Sequence, residues 1–284
     1  MSKILIWPNP EKEQVRSLAQ QIYRWLEKRG VQAVMPTDLA RQLDLDAMAC
    51  ITDEATMQEI DWVMVLGGDG TLLLAAKQLM RWNKPILGVN LGHLGFLTEV
   101  EVPDLFPTLP LFLSGEYQLD LRHLLTAEVT RLGRSLIRYE AMNDVVVAKG
   151  PFARLVNLET FVDDAYVTTY PADGLIVATP TGSTAYSLSA GGPILSPDLG
   201  VFVVTPICPH SFFDRSVVID AQQTVKIRIR AMHRETLLTV DGQEGFPLED
   251  GDEIVVSAST HSVNLMRRPG WSFFHVLRGW RKGY

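Results

Sequence analysis

Apolar positions in the first hundred residues alternate between two rhythms. Residues 4–7 (Ile4-Leu5-Ile6-Trp7) form an unbroken apolar run closed by Pro8, the pattern of a strand buried on both faces. Residues 10–29 place Val15, Leu18, Ile22, Trp25 and Leu26 at helical spacing, and Gly30 ends that pattern, so the spacing predicts a helix opening at Pro10. Residues 31–35, 62–66 and 85–89 are further apolar strand runs, and residues 72–82 are rich in helix formers. Strand alternating with helix predicts a parallel, doubly wound sheet.

From about residue 119 the rhythm changes. Short runs rich in Val, Ile, Thr and Leu follow one another at 124–130, 144–147, 174–179, 201–205, 224–229, 237–240 and 254–257, with turn residues between them. Helical spacing is confined to residues 184–190. The expected organisation is an α/β N-terminal domain (1–118), a β-rich C-terminal domain (119–268) and a tail (269–284) that packs back on the first. That tail carries Trp271, Phe273, Phe274, Arg278, Trp280, Arg281 and Lys282 with no acid; a subunit contact is its other reading.

Composition narrows the function. The chain has 284 residues, 46% hydrophobic and 21% charged, enough for two cores without disulfide or structural metal. A formal net charge of −7 repels phosphate backbones, so a nucleic-acid partner is not expected. Cys50 and Cys208 have no metal-ligand spacing and read as reduced thiols. The N-terminal apolar run is too short for a signal peptide. The longest uncharged stretch, residues 174–197, is broken by Pro180 and Pro193 and is no membrane span. Cytoplasmic residence with no membrane partner is the expectation.

Three constellations carry candidate chemistry. Gly67-Gly68-Asp69-Gly70-Thr71 joins a buried strand to a helix, where glycines admit a ligand close to the backbone and the helix start favours phosphate. Asp69 would be repelled by polyphosphate unless it meets a metal or accepts a proton; the structural alternative is that it caps the helix. The chain lacks the P-loop pattern, and Gly68-Asp69-Gly70 lacks the third glycine of a dinucleotide fingerprint. Residues 173–193 run from Asp173-Gly174 through a strand into a turn crowded with Ser, Thr and Gly, a surface of small hydrogen-bonding groups suited to a nucleotide or, more simply, a capped helix. Asn143-Asp144 opens a strand; an amide beside a carboxylate can hold ribose hydroxyls, although Asx residues also mark turns. His123, His233, His261 and His275 show no metal spacing, and His93 and His210, each single and near a turn, read as structural with ligand contact as the alternative, so no protein metal site is expected.

Together these segments resemble the NAD kinase family over essentially the whole chain. The matching stretches are residues 67–71, 90–98 (Asn-Leu-Gly-His-Leu-Gly-Phe-Leu-Thr), 143–146, 173–193, 206–211 (Pro-Ile-Cys-Pro-His-Ser) and Asp241-Gly242-Gln243. The glycine loop alone is shared with diacylglycerol-type lipid kinases and phosphofructokinases; the long block and the Pro-Ile-Cys-Pro-His-Ser run are more specific. The resemblance implies a site in the cleft between the two domains and transfer of the terminal phosphoryl group of ATP to the 2′-hydroxyl of the adenosine ribose of NAD. It implies Asp69 as the proton acceptor, with Gly67, Gly68 and Gly70 beside the ligand and Asn143 and Asp144 on the ribose. Asp173, Thr184, Ala185, Tyr186, Ser187, Leu188 and Ser189 would line the nucleotide pocket, Tyr186 against a base, and Arg154 and Gln243 match further binding positions. Mg²⁺ or another divalent cation would arrive with ATP. A homodimer or homotetramer is implied. Two positions depart from the family: many members have Asn-Glu at 143–144, and Pro171 stands where some have a base. A lipid kinase sharing the loop and a non-catalytic dinucleotide sensor are the alternatives.

Overall fold

The computed structural model describes residues 2–50, 52–92, 95–150, 155–210, 215–230 and 236–281. The chain divides into two compact units, Met1–Leu121 with Ser262–Tyr284, and Arg122–His261. The first unit begins β1 (Lys3–Pro8), α1 (Val15–Glu27), β2 (Gln32–Pro36), α2 (Thr37–Gln42), β3 (Ala49–Cys50) and α3 (Glu54–Glu59). It continues β4 (Trp62–Gly67), α4 (Asp69–Leu79), β5 (Ile86–Asn90), β6 (Val100–Glu101) and α5 (Val102–Leu113). Its strands lie in the order β3-β2-β1-β4-β5, every adjacent pair parallel. The chain winds outward from β1 to β3 and then returns to β4 on the other side of β1. This reversal leaves a topological switch point between β1 and β4, where ligands collect at the carboxyl ends of strands. Residues 4–7 and 62–67 are wholly buried, which is why they are continuously apolar. α1 buries Val15, Leu18, Ala19, Ile22 and Leu26 against them.

Three local expectations are corrected here. The first helix starts at Val15, five residues later than Pro10. The Asn9 side chain accepts from the Glu11 N–H at 3.0 Å and its carbonyl from the Lys12 N–H at 3.2 Å, holding those residues in turns. α4 starts at Asp69, so Gly68 is the N-cap and Asp69 does not cap the helix. α5 went unread because Pro103, Pro107 and Pro110 mask its period. Burial of Leu105, Leu109 and Phe112 holds it in spite of them.

The second unit holds most of the remaining strands. β7 (Gln118–Arg131) enters it and pairs with β8 (Arg134–Ala141). There follow β9 (Asp144–Lys149), β10 (Val156–Val162), β11 (Ala165–Ala172), β12 (Gly174–Ala178) and the single-turn α6 (Tyr186–Ser189). Then come β13 (Val201–Ile207), β14 (Val217–Asp220), β15 (Val225–Arg230), β16 (Thr236–Val240), β17 (Glu244–Leu248) and β18 (Glu253–Arg267). One sheet has the order β14-β13-β12-β9-β16-β17, antiparallel throughout. A second runs β11-β10-β15-β18, with β7 beside β18. In β15, Val225, Ile227 and Ile229 are buried while Lys226, Arg228 and Arg230 alternate outward, a strand with one covered face. β18 continues into the first unit, where Leu265 pairs with Ile86, and the chain closes with α7 (Phe273–Arg281). Phe273 meets Phe96 at 6.0 Å between ring centroids, and Trp271 lies under the Arg267 guanidinium at 4.3 Å.

Candidate functional site

In the first unit the glycine loop is fixed through Asp69. Its Oδ2 accepts from the Phe96 N–H at 2.8 Å, and its Oδ1 from the N–H groups of Leu97 and Thr98, each at 3.2 Å, with the Thr98 hydroxyl at 3.4 Å. A β-carbon on Gly95 would collide with this carboxylate, so only glycine allows the two segments to close. The opposite side of residues 96–98 is held by Arg267, which is buried. Its guanidinium donates to the carbonyls of Phe96 (3.1 Å), Leu97 (3.0 Å) and Thr98 (3.4 Å) and pairs with Asp120 (2.9 Å) and Glu99 (3.4 Å). One carboxylate thus gathers the amides of this strap and one guanidinium gathers its carbonyls. Asn9 donates to the Thr71 hydroxyl at 3.1 Å, tying the end of β1 to the first turn of α4.

In the second unit antiparallel pairing does the gathering. β9 runs opposite to both β12 and β16, so its start lies beside their ends: Asp144 is opposite Ala178, and Val145 opposite Val240. Asn143, Asp144, Thr179, Thr181, Asp241 and Gln243 therefore share one end of the sheet. Asp241, at φ +50°, accepts from the N–H groups of Met142 (2.8 Å), Asn143 (2.7 Å) and Asp144 (3.0 Å). Asn143 presents its carbonyl to the Thr179 N–H at 2.9 Å, and a β-carbon on Gly182 would strike that carbonyl. The Thr181 hydroxyl receives the guanidinium of buried Arg122 at 3.2 Å. Asp144 is only 5% exposed, and its pKa is raised to about 7 by burial and by the charge of Asp241.

Other expected positions fall differently. Asp173 is at the far end of β12, where it pairs with Lys149 at 2.9 Å and its N–H donates to the Ile207 carbonyl at 3.0 Å. Five strand residues stand between it and Thr179, a distance of about 20 Å along the sheet. Thr184 donates to the Thr181 carbonyl at 3.1 Å, and Ala185 joins the two short helical turns. Tyr186 and Ser189 are exposed and Leu188 is half-buried. Ser187 is fully buried, its hydroxyl paired with Thr205 at 3.0 Å, so that side chain faces the interior. Gln243 is exposed on the β16–β17 turn. Gly67 is buried, Gly68 half-buried and Gly70 exposed. Arg154, His93 and Ser211 lie outside the described residues. Among the described residues no group of three or more His, Cys, Asp or Glu is placed to hold a metal, and no helix is long and apolar enough to cross a membrane.

Sequence reasoning gave no role to Asp241, Arg122, Lys149 or Arg267. Asp241-Gly242 was legible as a turn. The two arginines lie in β7 and β18 beyond the apolar runs at 124–130 and 254–257, so no local pattern marked them.

An α/β unit with a glycine-rich loop at its switch point, joined to a β-rich unit with an Asn-Asp turn, is the class these features define. Residues 4–117 match the ATP-NAD kinase N-terminal domain and residues 142–268 the ATP-NAD kinase C-terminal domain. The chain is 44% identical over 278 residues to the NAD kinase of Moorella thermoacetica, covering 98% of this chain and 88% of that protein. It is 41% identical to the NAD kinase of Syntrophotalea carbinolica, covering 99% of each. Yeast NADH kinase, solved with NADH, superposes with a TM-score of 0.86 at 27% identity, covering all of this chain and 87% of that one. The chain belongs to the NAD kinase family.

Proposed function

We propose that this chain transfers the terminal phosphoryl group of ATP to the 2′-hydroxyl of the adenosine ribose of NAD, giving NADP and ADP. The observation that carries this reading is the anchoring of both candidate loops. Asp69 and Asp241 each fix three consecutive backbone amides, so the glycine loop and the Asn143-Asp144 turn are held before any ligand arrives. Full-length similarity to proteins named NAD kinase supports it.

In the proposed step the 2′-oxygen bonds to the γ-phosphorus, the bond from that phosphorus to the β,γ-bridging oxygen breaks, and ADP leaves with the bridging electrons. The 2′-hydroxyl proton passes to Asp69 as the new bond forms, late enough that a carboxylate suffices as acceptor. Oδ2 of Asp69 takes this role, because it accepts one amide while Oδ1 is crowded by three donors. ATP arrives as its complex with Mg²⁺ or another divalent cation, and that ion belongs to the substrate. Asn143 and Asp144 hold the ribose hydroxyls, and exposed Tyr186 offers its ring to a base. Arg154, Gln243 and the backbone of 184–189 add further contacts to the extended dinucleotide, Asp173 doing so from the other end of β12, in a cytoplasmic homo-oligomer.

The test is an assay with NAD and MgATP that follows NADP through an NADP-specific dehydrogenase, with NADH as a parallel acceptor. NADP formation at the expense of ATP is expected. NAD binding without turnover would establish the sensor reading, and phosphorylation of diacylglycerol in place of NAD the lipid-kinase reading.

A further inference from the structure

The turn that follows β12 is crowded with hydroxyls, and between residues 179 and 184 all but one of them spend their proton on a backbone carbonyl. Thr179 donates to the Met142 carbonyl at 2.6 Å, Ser183 to that of Pro180 at 2.6 Å and Thr184 to that of Thr181 at 3.1 Å. Further on, the buried hydroxyl of Ser187 is closed with that of Thr205. Such bonds hold a turn in shape and leave no proton for a ligand. The Thr181 hydroxyl is different. Its oxygen accepts from Nη1 of Arg122 at 3.2 Å, and among the described residues its proton meets no acceptor.

The chemistry of the partner makes this arrangement directional. A guanidinium carries donors only and does not deprotonate, so Arg122 can never receive a hydrogen bond from Thr181. An N–H aimed at a lone pair of the hydroxyl oxygen turns the hydroxyl proton away from Arg122. The bond is charge-assisted, and it polarises the hydroxyl into a stronger donor. Arg122 is 2% exposed and Thr181 7%, so bulk water does not compete for either group. Thr181 also stands where the site residues of the second unit converge. The next residue, Gly182, packs against the Asn143 carbonyl, and that carbonyl accepts from the Thr179 N–H.

We propose that Arg122 is a positioning residue for the acceptor substrate: it fixes Thr181 as a hydrogen-bond donor toward an acceptor oxygen of the dinucleotide. The inference rests on the kinase reading above and adds to it the direction of one hydrogen bond in the pocket. A ribose, phosphate or carbonyl oxygen of the ligand meets the hydroxyl proton productively, whereas a ligand N–H placed there meets it donor against donor. Arg122 acts through Thr181 and not by touching the ligand.

The experiment is a double-mutant cycle on the full chain, read by calorimetric titration with NAD, by melting curves and by the Michaelis constants for NAD and MgATP. Thr181→Val keeps the shape and removes the hydroxyl. NAD affinity should fall about tenfold, the loss of one hydrogen bond, and the Michaelis constant for NAD should rise in step while that for MgATP moves less. Thr181→Ser, which restores the hydroxyl, should recover most of the affinity. Arg122→Gln puts an amide that can accept the Thr181 proton in place of a donor-only group, and should weaken NAD binding similarly. In the Thr181→Val background the same change should have no further effect on NAD, because its route is gone. A purely structural Arg122 predicts a lower melting temperature with unchanged NAD affinity in the folded chain. Should Arg122→Gln fail to fold, Arg122→Met replaces it with the same expectation. Wild-type NAD affinity in a folded Thr181→Val chain, a Ser variant as weak as the Val variant, or losses that add across the cycle overturn the proposal. Affinity is read without turnover, so a wild-type chain that binds NAD and shows these losses yet forms no NADP fails the kinase reading and leaves the Arg122 assignment standing.

Discussion

Two aspartates do structural work that their positions in glycine-rich turns conceal. A carboxylate has about four acceptor sites, and Asp69 and Asp241 each commit most of theirs to backbone amides. Asp69→Asn therefore has two consequences. An asparagine can keep its oxygen toward Leu97 and Thr98, but its amide then faces the Phe96 N–H, leaving a donor unmatched at a cost of about 1–3 kcal/mol. A plain helix-cap exchange would cost only a few tenths of a kcal/mol. Turnover at saturating NAD and MgATP should fall about 10²–10⁴-fold if Asp69 accepts the proton. Melting curves and turnover on the same sample separate the two roles: stability loss with turnover reduced less than about tenfold would leave Asp69 as an anchor alone. Asp241→Asn makes the matching prediction in the second unit. The amides of 142–144 lose one acceptor, and the Michaelis constant for NAD should rise about tenfold, the equivalent of one hydrogen bond of about 1.4 kcal/mol, with a smaller change for ATP. Equal changes for both substrates would argue against a positioning role on the NAD side.

At the scale of elements, the strap 95–98 shows where sequence reading stops. Its motif was readable, and so were the strand before the glycine loop and the helix after it, because both are set by local apolar period. Its fixing depends on Arg267, some 170 residues away in sequence, and no local pattern announces such a partner. The antiparallel gathering of Asn143, Thr179 and Asp241 was equally invisible, since it follows from strand order. Conversely, Ser187 sits in a small-hydroxyl run that reads as a ligand surface, and one turn of α6 carries it inward to Thr205. Arg267→Met tests the strap. The change leaves the buried carboxylates of Glu99 and Asp120 and three carbonyls without their shared cation. Breaking such a buried network by removing one partner costs about 3–5 kcal/mol, so denaturant unfolding should show a midpoint shift of that order. A loss below about 1 kcal/mol, the range of surface pairs, would mean that the strap is held by Asp69 alone.

For the molecule as a whole, the alternation of strand and helix followed by strand after strand was enough to read an α/β unit and a β-rich unit. Where charge is buried was not readable, and stability depends on it. Asp144 heads the central strand of the six-stranded sheet, buried and beside Asp241. Its pKa is raised from 3.8 to about 7 in the folded chain. In the unfolded chain it ionises near 4, so between about pH 4 and pH 7 the folded state holds a proton that the unfolded state has released. Stability from this group is therefore highest at low pH and declines as pH rises toward 7, the reverse of an ion-paired carboxylate. The full difference corresponds to roughly 4 kcal/mol. Asp144→Asn removes the titration while keeping the shape. Its stability relative to wild type should climb as pH is raised from 5 to 8, flattening once wild-type Asp144 is ionised. Denaturant unfolding of both chains without ligand at several pH values measures this directly. A stability difference independent of pH would show that Asp144 is ionised in the folded chain across that range, stabilised by contacts that offset both its burial and the charge of Asp241.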